Sequence, residues 1–130
     1  MIDLEKVKSV RIAACDLNGQ MRGKRLPGFE KEKFKDGSIR MPLSALNVDI
    51  FGADIENSPL VFETGDQDGL LKNTSRGVIP VPWLLNPTAL IPMSMFTEDE
   101  EPFEGDPRYA QERVLKSYET KGLKAFAATE

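Results

Sequence analysis

The chain has 130 residues, 40% hydrophobic and 29% charged, with a formal net charge of −4. That balance suits one globular domain with a modest core and argues against disorder, a broad nucleic-acid surface or an anionic-membrane surface. The chain contains no histidine and a single cysteine, Cys15, which excludes an internal disulfide, a Ser-His-Asp triad and a Cys-His pair within these residues.

No apolar run reaches the roughly 18 residues of a membrane span. The first residues, Met1 to Lys6, mix charges and do not read as a signal peptide. With one cysteine, the expected setting is a reducing, cytoplasmic one. Catalysis, if any, must use carboxylates, lysine, arginine, backbone amides or another domain.

Val10 and Ile12 alternate with Ser9 and Arg11, so residues 7–15 read as a strand. Asp16-Leu17-Asn18-Gly19 is a turn signal, because Asn-Gly readily takes positive φ. Gln20 to Leu26 is the return strand of a hairpin, ended by Pro27-Gly28. Phe29 to Lys35 reads as a short helix with a thin apolar edge. Ile39 to Gly52 is apolar and expected to be irregular, with one helical turn near Ser44 to Val48. Ala53 to Gly65 is polar and loop-like.

Gly65-Asp66-Gln67-Asp68-Gly69 is a tight acidic turn leading into a strand at Leu70-Leu71. Gly77 to Trp83 is a second strand of this region, suited to an edge by its two prolines. Thr88 to Phe96 is the third and clearest. Thr97 to Glu104 is an acidic loop. The closing helix has Asp106 as N-cap, Pro107 at its first position and Gly122 past its end. Ala110, Val114, Leu115 and Tyr118 share one face, and Glu112 and Lys116 are spaced to pair. Leu123 to Glu130 reads as a further strand, one that begins a second domain. The fold class is therefore α+β, a β-grasp-like small mixed sheet with a crossing helix, followed by the starting strand of a second domain.

Four segments in this order resemble the glutamine synthetase family. Val10 to Gly19 with Arg22-Gly23-Lys24-Arg25-Leu26-Pro27 resembles its opening hairpin. Gly65 to Gly69 with Val81-Pro82-Trp83 is similar to its acidic turn and following strand. Phe103 to Arg108 resembles its Asp-Pro-Arg helix start, and Ala127-Ala128-Thr129-Glu130 the first half of its Glu-x-Glu metal strand. Where ammonia-using members carry an aspartate-containing Phe-Asp-Gly-Ser-Ser loop, this chain has Met41-Pro42-Leu43-Ser44-Ala45. That departure resembles the branch that makes γ-glutamyl amides of polyamines or other amines.

The resemblance implies residues 1–105 as the N-terminal β-grasp domain and 106–130 as a linking helix and first strand of a catalytic domain. It implies an ATP-dependent ligase that phosphorylates glutamate and joins it to ammonia or an amine, using Mg²⁺ or Mn²⁺. Its partners would be its own catalytic domain and neighbouring subunits of a homo-oligomeric ring. Asp66 and Asp68 would face the neighbour's amine pocket as catalytic carboxylates, and Glu130 would bind metal. By itself the chain would be inactive and hold no cofactor. The plainer readings are that Asp66 and Asp68 serve only the turn, and that Arg22, Lys24 and Arg25 form a solvated strand face and not a phosphate site. Cys15 would be a small core residue, Trp83 a packing or interface residue, and Arg108 an anchor for the acidic loop. The competing function is a β-grasp interaction module without catalysis. A Glu-x-Glu continuation of the gene favours the ligase, and a stop codon the module.

Overall fold

The computed structural model describes residues 6–34 and 38–128. Strands β1 (Ser9–Cys15), β2 (Met21–Pro27), β3 (Arg40–Pro42), β4 (Asp68–Asn73), β5 (Ile79–Pro80) and β6 (Thr88–Phe96) form one six-stranded sheet. The order is β2-β1-β6-β4-β3, with β5 also on β6. The β1–β6 pairing is parallel and the others antiparallel. The sheet is mixed, as the sequence predicts.

Alternation builds the core. Val10, Ile12 and Ala14 of β1 point to the same side as Ala89, Ile91, Met93 and Met95 of β6, and all are buried. The register sets Ile12 beside Ile91 and Leu71 of β4 beside Met95. Each such Ile, Leu or Met contributes about 1.5–3 kcal/mol by leaving water. Pro92, which brings no N–H, sits where β6 changes neighbour from β5 to β4.

The hairpin turn, β6 and the helix start all form where the sequence places them. The expected short helix is a 3₁₀ segment, Gly28–Phe34, which touches β1, β2 and β4. The turn near Ser44 is a second 3₁₀ segment, Leu43–Leu46, and the loop before the acidic turn holds one short helix, α1 (Pro59–Phe62).

Two expectations about the C-terminal end need correction. Helix α2 (Pro107–Glu119) is capped as anticipated, Asp106 Oδ1 accepting the Arg108 N–H at 2.8 Å, but it buries no residue. Val114, Leu115 and Tyr118 remain substantially exposed. Leu43 and Leu46 of the second 3₁₀ segment are part of the buried core instead. Residues 123–128 have no regular structure: a strand needs a ladder, and no described strand pairs with them. Phe126 is almost fully exposed. Glu130 lies outside the described residues.

Candidate functional site

The acidic turn and the Met41–Ala45 segment are brought together. Antiparallel pairing of β3 with β4 sets Pro42 opposite Asp68, and the Leu43 N–H donates to the Gln67 carbonyl at 3.0 Å. Asp66 takes a left-handed backbone at φ +56, beside Gly65 at +70. Its carboxylate accepts a short hydrogen bond from the Ser44 hydroxyl, and its N–H donates to Leu60. Asp66 therefore spends its side chain on holding the turn to the 3₁₀ segment.

Asp68 differs. It stands exposed at the start of β4, and its carboxylate has no hydrogen bond or ion pair among the described residues. Of the two proposed carboxylates, it is the one free to meet a cation. Any residue larger than glycine at 69 would press on Leu43, Met95 and the Phe96 carbonyl, at 2.5–2.7 Å. Gly69 thus lets the turn sit close on the sheet.

A second loop projects nearby in sequence and was not singled out as a site. Asp49 Oδ1 accepts the N–H groups of Phe51 and Ala53, and Asn18 Nδ2 donates to the Val48 and Asp49 carbonyls. This raises Ile50 and Phe51 into solvent, Phe51 at 92% exposure. The sequence signal was an Asp followed by Gly52 in a run too apolar for a solvent loop.

Behind this loop lies the buried acid Asp16. Its Oδ1 accepts the Asn18 and Gln20 N–H groups at 2.8 Å each, and its Oδ2 accepts Arg22 Nε at 2.7 Å. Burial pushes its pKa up, but the Arg22 hydrogen bond and the two amides outweigh it, and the net value falls below the ordinary 3.8. Arg22 is therefore not merely solvated: it is a partner of Asp16. Cys15 is half-buried, not a core residue, with its thiol toward the Asp16 carbonyl at 3.6 Å.

The acidic loop is held by Arg40 to Glu98 at 3.1 Å, Lys72 to Glu100 at 2.8 Å and Arg113 to Glu104 at 3.2 Å. Arg113 thus plays the part expected of Arg108, whose Nε is buried without a partner among the described residues. Glu112 and Lys116 form no ion pair there. No group of three or more Asp, Glu or Cys side chains among the described residues is gathered to hold a metal ion, and none of the described helices is long and apolar enough to cross a membrane.

No family model matches the chain. Gamma-glutamylputrescine synthetase of Escherichia coli strain K12 is 32% identical over 128 residues, which cover 93% of this chain and 25% of that protein. Glutamine synthetase of Thermotoga maritima is 27% identical over 133 residues, covering 100% of this chain and 27% of that protein. These matches support a glutamine synthetase family N-terminal domain.

A solved glutamine synthase homolog superposes on this domain with a TM-score of 0.73, over 93% of this chain and 29% of that one. At 19% identity that likeness speaks for the fold alone. The domain spans about a quarter of the length of the relatives it matches. Its homology is to ligases.

Proposed function

We propose that this domain supplies one wall of the active site of an ATP-dependent ligase that joins glutamate to an amine. The observation carrying the reading is the 32% identity to a gamma-glutamylputrescine synthetase over 93% of this chain. On this reading residues 1–105 form the N-terminal domain, and α2 leads toward a catalytic domain that carries most of the site. The acidic turn then faces the pocket of a neighbouring subunit in a homo-oligomer.

The chain's own chemistry is limited to what its residues can do. Asp68, exposed and unpaired among the described residues, would hold a cationic amine by charge or take its proton. Asp66 positions the turn through Ser44. Met41–Ala45 offers no aspartate for ammonium, which favours a larger amine. Among the described residues no group of three or more Asp, Glu or Cys side chains is gathered to hold a divalent ion. Glu130 is proposed as one metal ligand of the complete site, and the isolated chain as inactive.

The test replaces the matching quarter of the Escherichia coli enzyme with this chain. ADP release with glutamate and putrescine, or with glutamate and ammonia, is then measured for the assembled chimera and for the chain alone. The chimera should ligate, with preference for the amine, and the chain alone should not. Ligation by the isolated chain overturns the reading. So does an assembled, ATP-binding chimera that never ligates, the result expected of a non-catalytic module.

A further inference from the structure

The face of the sheet opposite the core carries a groove of about 470 Å³, lined among others by Arg11, Ala13, Gly23, Arg25, Trp83 and Leu90. Strand alternation explains it: with Val10 and Ile12 inward, Arg11 and Ala13 project outward. The register sets Arg25 opposite Arg11, Gly23 opposite Ala13, and Leu90 on the other side of Arg11. A Cβ at position 23 would lie 1.8 Å from the Ile12 carbonyl oxygen. The ladder therefore requires glycine there, and the groove floor is left bare. Trp83 enters from the loop after β5 with 75% of its surface exposed.

The charge is one-sided. Arg11 and Arg25, directly opposite each other, both line this groove, no carboxylate does, and neither has an ion pair among the described residues. In a chain of net charge −4, unpaired cations around an apolar floor call for an anion. The indole offers a flat stacking surface, and guanidinium forks match carboxylate or phosphate oxygens. A cation would be repelled, and a purely apolar ligand would leave the arginines without partners. The volume lies in the range of small-molecule sites.

We propose that this groove binds a small planar organic anion, an aromatic ring bearing a carboxylate or a phosphate. The ring stacks on Trp83 and the acid group lies between Arg11 and Arg25. The site is on the β1–β2 side of the sheet, away from the β3–β4 side that carries Asp68, and it does not depend on the ligase reading.

Trp83 is the only tryptophan, so its fluorescence reports on the groove directly. The chain is titrated with 1-naphthoate, with AMP, and with 1-naphthylmethylammonium as the cationic control, and calorimetry repeats each titration. Saturable binding of naphthoate or AMP, and not of the cation, is expected, and the better binder tells carboxylate from phosphate. Arg11→Gln and Arg25→Gln should each weaken it about tenfold, with circular dichroism and the urea midpoint unchanged. No saturable binding by either anion, equal binding of the cation, or unchanged affinity in both variants overturns the proposal. So does concentration-dependent self-association that Arg11→Gln abolishes, since an acidic segment of a second copy would then fill the groove.

Discussion

Arg22 donates its Nε–H to the buried Asp16 carboxylate at 2.7 Å and lays the rest of its guanidinium against Gly52. One ion pair thus ties the first hairpin to the loop that raises Ile50 and Phe51. An Asp16→Asn variant keeps an oxygen for the Asn18 and Gln20 amides but turns a donor, or nothing, toward Arg22. It should cost about 1–3 kcal/mol at neutral pH. Because folding depresses the Asp16 pKa below 3.8, its contribution is complete above that value and fades as pH falls through the lower folded value. Urea titrations across pH should therefore show the gap between native chain and variant narrowing below about pH 4. A gap that stays constant to pH 2 would contradict the assignment.

Gly52 takes φ +85, and a Cβ there would lie 3.1–3.2 Å from the Arg22 nitrogens. Gly52→Ala should cost about 1–2 kcal/mol from the left-handed backbone alone, with a further part from crowding. The crowding part should vanish when Arg22→Ala is combined with it. A double-mutant cycle on urea midpoints measures this, and zero coupling would mean that the guanidinium and the loop are independent.

Asp106 is fully buried and serves two elements: its Oδ1 caps α2, and its Oδ2 accepts the Met95 N–H of β6 at 2.7 Å. Asp106→Ala loses a cap and strands a buried N–H, so about 3 kcal/mol of destabilisation is expected. Thermal and urea unfolding report the total. Amide exchange at Met95 separates the parts: if it does not accelerate, the capping role is the whole of the effect.

The two carboxylates of the acidic turn should separate cleanly. Asp66→Asn perturbs the Ser44 hydrogen bond and should cost the chain about 1 kcal/mol. Asp68→Asn touches no partner among the described residues and should leave stability within about 0.5 kcal/mol. In the chimera with the Escherichia coli enzyme, Asp68→Asn should lower kcat/KM for the amine about a hundredfold. Full activity in that variant would return Asp68 to a turn residue.

Short-range physics was readable along the chain. Alternation in Val10–Ile12 and in β6, the Asn-Gly turn and the Asp106-Pro107 helix start needed only neighbours a few residues away, and they formed as read. What neighbours cannot encode went unread. The partnership of Asp16 with Arg22 looked like a turn residue and a strand cation. The stripe on α2 has the spacing of a core face yet buries no residue, and residues 123–128 have strand composition but pair with no strand among the described residues.

The sequence alone determined the sheet's inward face and the helix cap through local patterning, and its motif order resembles the glutamine synthetase family. Tertiary structure decided that β1 lies parallel to β6, that Asp66 is bonded while Asp68 has no partner among the described residues, and that Arg11, Arg25 and Trp83 share one groove. Strand pairing is a contest between distant segments, settled by how much apolar surface each register buries. Only the folded chain reports the outcome.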